Sequence, residues 1–139
     1  MTQDSPTSDY ADFLASKQLI APNSGVDVPR EQLHPALFAW QKDLVRWSLA
    51  KGRAALFADA GLGKTLMSLA WAEHAADRTL ILAPLAVARQ TVREGQKFGV
   101  DVTYARSQDA AAERGVTITN YEMMGHFDPS AFGAVVLDE

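Results

Sequence analysis

The sequence of 139 residues contains no cysteine, so it forms neither a disulfide framework nor a zinc site with cysteine ligands. It also lacks a long apolar run. The most apolar stretch, Leu80 to Ala88, is interrupted by Pro84 and falls far short of the ~20 residues that a membrane helix needs. The N-terminus has neither the basic start nor the apolar core of a secretory signal. We therefore expect a cytoplasmic protein with no membrane partner.

The chain also has no excess of positive charge. It contains 13 Lys and Arg residues and 17 Asp and Glu residues, which gives a formal net charge of −4. A net acidic chain is a poor candidate for binding nucleic acid through bulk charge, although a local basic patch can still serve. Apolar residues, in contrast, are plentiful at 47% of the chain. This fraction, at this length, predicts a single soluble globular unit with a substantial core.

The first part of the chain differs in composition from the rest. Residues 1–34 are acidic and rich in proline, serine and threonine, and we interpret them as an acidic N-terminal tail or tether. Within this tail, an apolar pattern predicts one or two amphipathic turns, formed by Tyr10, Phe13, Leu14, Leu19 and Ile20. These turns either dock onto the main domain or stay disordered. Residues 35–139 are predicted to form the folded domain.

Within the folded domain, short apolar runs alternate with helical patterns. Apolar residues from 37 to 49 recur at three- and four-residue spacings, which predicts an amphipathic helix. Further helices are predicted at 64–76 and 87–98, and strands at 54–58, 79–83, 100–104, 115–119 and 134–137. Buried strands that alternate with helices indicate a parallel sheet with helices on both faces. The predicted fold class is therefore α/β.

A glycine-rich segment, Ala58-Asp59-Ala60-Gly61-Leu62-Gly63-Lys64-Thr65, lies between the first predicted strand and its helix. Glycines let backbone N–H groups approach phosphate oxygens, and the following helix directs its positive end at the same anion. Lys64 is expected to contact the β- and γ-phosphates, and Thr65 to hold Mg²⁺. The strict phosphate-loop pattern has glycine where Ala58 stands, and the segment alone also fits a tight turn before a helix.

A second candidate motif is Val135-Val136-Leu137-Asp138-Glu139, an apolar strand that ends in two carboxylates. Ligands of parallel sheets bind at the carboxyl ends of the strands. There, Asp138 is expected to hold Mg²⁺, while Glu139 orients and deprotonates an attacking water. Alone, such a pair is more commonly a polar loop. Together with the glycine-rich segment, it predicts ATP and Mg²⁺ as cofactors, with Lys64 and Glu139 as catalytic residues.

These two motifs resemble motifs I and II of superfamily 2 DEAD/DEAH-type helicases and translocases, and the likeness is greatest to the Snf2-like ATPases, whose motif I often begins with alanine. The resemblance covers about residues 33–139. It implies a RecA-like P-loop NTPase lobe that is incomplete at its C-terminal end. It also implies that Gln41 reads the adenine edge with its amide, and that Arg89 and Gln90, in a segment similar to motif Ia, contact the DNA backbone. Residues 117–122 resemble a segment that lies near the nucleic acid.

The resemblance further implies a DNA-dependent ATPase, either a helicase or a translocase, whose second RecA-like lobe is not part of this sequence. We therefore expect the N-terminal fragment of a longer motor, which binds ATP and Mg²⁺ but turns over very weakly by itself. Two alternatives remain open. One is a stand-alone nucleotide-binding interaction module without motor activity, and the other is a different P-loop ATPase that acts on protein.

Aromatic and histidine residues offer further binding interpretations. Trp40, Trp47 and Trp71 can stack on bases, but their helical spacing among other apolar residues favours core packing. The three histidines, His34, His74 and His126, have no metal-ligand spacing with one another. A zinc site is therefore not predicted.

Overall fold

The structure, a computed structural model, describes residues 6–18, 21–59 and 61–138. Its helices and strands are, in chain order, α1 (Pro6–Lys17), α2 (Ala39–Lys51), α3 (Lys64–Ala75), β1 (Arg78–Ala83), α4 (Leu85–Phe98), β2 (Val102–Tyr104), β3 (Gly115–Asn120) and β4 (Ala134–Leu137). Short 3₁₀ turns lie in several of the connections. The alternation of helices and strands confirms the predicted α/β class.

The four strands form one parallel sheet in the order β2-β3-β1-β4. In the middle of the sheet, Ile81 of β1 lies opposite Ile118 of β3 and Val136 of β4. The short strand β2 pairs with β3 at the opposite side from β1. Because all four strands run in the same direction, their C-terminal ends meet at one side of the sheet, which we call the carboxyl edge.

The two inner strands are buried on both faces. Every residue from Thr79 to Ala83 in β1, and from Val116 to Asn120 in β3, is buried. On one face, α3 and α4 cover the sheet, and their Leu69 and Ala88 pack with Ile81. Burial on both faces explains why β1 is an unbroken apolar run from Leu80 to Ala83, whereas in β3 the alternating threonines Thr117 and Thr119 are buried as well.

The prediction of helices on both faces is wrong for the described residues. The second face carries Leu80 and Leu82, and its cover comes from the connections around Phe127 and Phe132. These connections fold as short 3₁₀ turns rather than as full helices. Gly125 and Pro129 interrupt the 121–132 segment, since both residue types disfavour a helix interior.

A separate apolar cluster joins α2 to α3 and to the chain before α2. Val28, Leu33 and Leu37 are buried there beside Val45 of α2 and Leu66 of α3. Val28 and Leu33, which composition assigns to the tail, therefore share a core with α2. The boundary at residue 34 between the tail and the folded domain stays a prediction.

The amphipathic turns predicted near the N-terminus are present as α1. The side chains of Tyr10, Phe13 and Leu14 on this helix are exposed. Leu19 and Ile20, which belong to the same predicted pattern, lie outside the described residues. The structure therefore supports the helix itself, in which the Lys17 ammonium lies 5.2 Å from the centre of the Phe13 ring.

One predicted strand is wrong. Residues 53–59 form neither helix nor strand, and the Phe57 side chain is 98% exposed. An extended apolar segment becomes a strand only where a neighbour offers backbone hydrogen bonds. Here an open groove of about 710 Å³ is lined both by Gly52 and Arg53 and by Val135 of β4. The remaining predicted strands and helices are found, with small shifts at their ends.

The prediction that all three tryptophans pack in the core is correct for Trp71 and wrong for the other two. Trp71 packs against the cluster between α2 and α3, whereas Trp40 and Trp47 are 44% and 47% exposed. α2 carries two apolar stripes, one with Val45 and one with Leu44. Helical spacing alone does not tell which of two stripes faces the core.

Candidate functional site

The glycine-rich segment forms a loop that leads directly into α3. Gly61 has φ 81° and Gly63 has φ 74°, and this left-handed backbone favours glycine at both positions. Gly63 immediately precedes the helix, and its carbonyl accepts a hydrogen bond from the Met67 amide at 3.2 Å. The loop therefore ends at the positive N-terminal end of a helix of 12 residues.

Lys64 and Thr65 are the first two residues of α3. The Lys64 side chain is exposed and has no ion pair within the ranges that the structure describes. Thr65 is half-buried. Because the first amides of any helix have no partner inside the helix, this helix end offers N–H donors and a lysine cation to one anion. Ala60, a further predicted contact, lies outside the described residues.

Gln41 connects α2 to the loop. Its side-chain Nε2 donates to the Leu62 carbonyl at 2.9 Å, and its Oε1 accepts from the Phe38 amide at 2.7 Å. The residue is only 5% exposed. An added Cβ at Gly63 would lie 2.5 Å from Nε2, so that glycine leaves room for the Gln41 amide. The adenine contact of Gln41 stays a prediction.

The N-terminal end of α3 lies on the carboxyl-edge side of the sheet. α3 precedes β1 through a short turn, and the Thr79 hydroxyl at the start of β1 donates to the Ala72 carbonyl near the end of the helix at 2.8 Å. The helix also packs on β1 through Leu69. A helix that enters a strand by a short turn and packs on it runs antiparallel to that strand. The loop and Lys64 therefore lie towards the end of the sheet where Asp138 follows β4.

Asp138 is the first residue after β4. Its amide donates to the Leu82 carbonyl at 2.8 Å, which extends the pairing of β4 with β1 by one residue. The Tyr121 hydroxyl donates to the backbone carbonyl of Asp138 at 3.0 Å. These two bonds hold the backbone of Asp138 at the carboxyl edge. Glu139, the predicted water-orienting residue, lies outside the described residues.

The predicted Mg²⁺ ligands, Thr65 and Asp138, offer a hydroxyl and a carboxylate. Both are hard oxygen donors of the kind that Mg²⁺ takes together with phosphate oxygens and water. Among the residues that the structure describes, no group of three or more His, Asp or Glu side chains is arranged to hold a metal by itself. The donor set fits an ion that is bound mainly through its phosphate partner.

A chain of hydrogen-bonded side chains lies at the same edge, where β2 and β3 end. The Tyr104 hydroxyl donates to Asn120 Oδ1 at 2.8 Å, and Asn120 Nδ2 donates to Glu122 Oε2 at 2.6 Å. The Asn120 donor, helped by the backbone amide of Glu122, lowers the pKa of the Glu122 carboxyl below its ordinary value. Sequence reasoning missed Tyr104, because nothing local connects it to Asn120 across 16 residues.

Replacement of Asn120 with alanine is expected to raise the pKa of Glu122 back towards its ordinary value. Because the folded-state pKa is depressed, the bond to Asn120 stabilises the fold above the ordinary glutamate pKa. This contribution is lost as the pH falls through the lower folded-state value. Carboxyl NMR titrations of the wild type and of Asn120→Ala measure both values. Asp128, whose pKa is lowered by Ser130, serves as an internal control that should not move. An unchanged Glu122 titration in the variant contradicts the assignment.

Arg89 and Gln90 lie on α4, which begins at the carboxyl edge directly after β1 and Pro84. Both side chains are exposed, and Gln90 Nε2 donates to Glu94 Oε1 at 3.2 Å. Their position leaves them accessible from solvent on the edge that also carries the loop. The nucleic-acid contact of both residues stays a prediction.

The fold and the site together define the class of this chain as an α/β protein with a parallel sheet and a glycine loop at a helix N-terminus. A comparison with models of known protein families finds no match, and a search of curated proteins finds no significant relative. In the described ranges, no helix has both the length and the apolar character required to cross a membrane.

Proposed function

We propose that this chain is the ATP-binding lobe of a DNA-dependent ATPase, either a helicase or a translocase, which resembles the Snf2-like members of superfamily 2. One observation carries the proposal. A loop with two left-handed glycines, Gly61 and Gly63, ends at Lys64 on the N-terminus of α3, towards the sheet edge where Asp138 lies. A loop with left-handed glycines, a helix dipole and an exposed lysine cation favour the same kind of ligand, a polyphosphate.

In this proposal, the triphosphate lies against the amides of the loop and the first turn of α3. Lys64 pairs with the phosphate oxygens through a charge-assisted hydrogen bond. The Thr65 hydroxyl and the Asp138 carboxylate hold Mg²⁺, which offsets the charge of the phosphates when it is bound. Glu139 orients the attacking water and accepts its proton.

Turnover by this chain alone is expected to be very weak. In related nucleotidases, arginines that reach the transferred phosphoryl group from outside the P-loop are worth about 10³–10⁵ in rate. In the proposed motor, such arginines come from a second RecA-like lobe, while Arg89 and Gln90 contact the DNA backbone without reading its sequence. The 139-residue chain by itself is therefore proposed to bind nucleotide rather than to couple hydrolysis to movement.

The proposal is tested by titrating the purified chain with MgATP and, separately, with magnesium tripolyphosphate. Backbone amide NMR shifts should change most at Gly61, Gly63 and Lys64, and little at Gly99 after α4 and Gly115 at the start of β3, which lie at the opposite edge of the sheet. Calorimetry on the same samples gives the two affinities. If neither ligand binds at millimolar concentration, or if the shifts spread evenly over the chain, the nucleotide-binding assignment fails.

A further inference from the structure

We propose that Gln41 is a positioning residue that holds the glycine loop in its phosphate-binding conformation and does not select the nucleobase. The inference rests on the proposed function, because it concerns the same site. It implies that the site recognises the triphosphate and that Gln41 does not make the site prefer ATP over GTP.

The hydrogen bonds of Gln41 carry the argument. Nε2 donates to the Leu62 carbonyl at 2.9 Å, and Oε1 accepts from the Phe38 amide at 2.7 Å. Reading an adenine edge needs the donor and the acceptor of one amide to point at the base together. In Gln41 both point at backbone groups of the protein. Each atom keeps one further N–H or lone pair, but the residue is only 5% exposed, so little of this engaged amide is accessible to a base.

Burial and close packing keep the Gln41 amide in this place. The residue is 5% exposed, and a Cβ added to Gly63 would lie 2.5 Å from Nε2. The amide therefore fits into space that exists only because residue 63 has no side chain. Because of this close contact, a change in the conformation of the loop requires a change in the conformation of Gln41.

The glycine loop needs such a contact to restrict its backbone conformation. Gly61 and Gly63 both have positive φ, and glycine is the residue with the widest choice of backbone conformations. Leu62 lies between them, with its side chain 39% exposed and its amide 3.4 Å from the Asp59 carbonyl, a long hydrogen bond. The bond from Gln41 to the Leu62 carbonyl is shorter, at 2.9 Å. It restricts the middle of the loop at the point where ordering costs most entropy.

The helix that carries Gln41 is capped and packed into a buried cluster. Its bond to the Phe38 amide caps the first turn of α2. Further along that helix, Val45 and Leu49 pack against Leu66 of α3 in a common cluster. The loop is therefore held from two sides, covalently by α3 and through the Gln41 amide by α2.

The test compares three ligands, MgATP, MgGTP and magnesium tripolyphosphate, on the wild type and on Gln41→Met. Methionine has similar length and makes neither hydrogen bond. We expect all three affinities to fall by the same factor, about three- to tenfold, because the variant loses the neutral hydrogen bond to Leu62 that holds the loop, whichever ligand is bound. Gln96→Ala, at an exposed position of α4, is the control and should change none of them. Circular dichroism checks that the variants are folded.

A loss confined to MgATP, with unchanged affinity for tripolyphosphate, overturns the inference and makes Gln41 an adenine reader, while the proposed function stands. No binding of any ligand by the wild type overturns the proposed function and the inference together. The two failures are therefore distinguishable from the same set of titrations.

A second pair of variants tests the geometry without a ligand. Gly63→Ala and Gly61→Ala introduce the same side chain at two positive-φ positions, but only the Cβ at residue 63 meets Gln41, whereas nothing lies within 4 Å of the one at residue 61. In NMR spectra of the free chain, the Gln41 side-chain amide should exchange slowly in the wild type and in Gly61→Ala, and fast in Gly63→Ala. Equal exchange rates in the two variants overturn the inference, even if Gln41→Met does not fold.

Discussion

Replacement of Lys64 with alanine is expected to weaken MgATP binding by about 10- to 150-fold. The lysine is the first residue of α3, is exposed and, among the described residues, has no ion pair that competes for its charge. A hydrogen bond to a charged group contributes about 1.5–3 kcal/mol, and about 1.4 kcal/mol corresponds to a factor of ten in affinity. Since the side chain is exposed, the fold should remain intact.

Calorimetric titration of the wild type, Lys64→Ala and Lys97→Ala measures this effect. Lys97 is also an exposed helical lysine, and its ammonium lies 5.5 Å from the centre of the Phe98 ring in the last turn of α4, remote in sequence from the loop. Its removal lowers the net charge equally but should leave the affinity nearly unchanged. Equal affinities of Lys64→Ala and the wild type, with both folded, would count directly against a phosphate site at this loop.

Replacement of Leu69 with alanine is expected to lower the free energy of unfolding by about 2–5 kcal/mol. Leu69 lies in the middle of α3 with an exposed fraction of 0%, and it packs with Ile81 and Ile118 of the two inner strands. The shortened side chain leaves a cavity between helix and sheet that the neighbours fill only in part. Because a domain has a total stability of about 5–15 kcal/mol, this one change removes a large fraction of it.

Urea unfolding of the wild type, Leu69→Ala and Leu85→Ala provides the measurement. Leu85, the first residue of α4, is 42% exposed, so the same chemical change there should cost less than about 1 kcal/mol. Similar losses in the two variants would mean that α3 does not pack on the sheet as described. The slope of the unfolding free energy against urea should stay constant, which ensures that the comparison refers to stability alone.

Much of the fold is predictable because its signals are local. The strand β1 is an apolar run, β3 alternates between apolar residues and threonine, and the helix α3 begins with Lys64 directly after Gly63. The positions of Gly61, Gly63 and Lys64 relative to the start of α3 follow from the same segment, so the candidate phosphate loop is predicted together with its helix. Asp138 is likewise placed by the apolar run of β4 that precedes it.

Other features depend on contacts between distant residues and were therefore missed or wrong. The 54–58 segment has the composition of a strand, but pairing requires a neighbour, and Phe57 is 98% exposed. Trp40 and Trp47 have the periodicity of core residues, but the other stripe of α2 faces α3. The cover of the second sheet face is formed by turns, since Gly125 and Pro129 interrupt helical structure there.

The candidate site shows the same division between local and distant causes. A glycine loop that leads into a helix N-terminus is determined by a few consecutive residues, because left-handed backbone and helix start are properties of the chain itself. The bond from Phe38 to Gln41 is local, three residues apart, but the bond from Gln41 to Leu62 spans 21 residues and is determined by folding. Local conformational preference therefore determines where the candidate phosphate loop lies. Only the packing of α2 against α3 decides which side chain holds that loop in position.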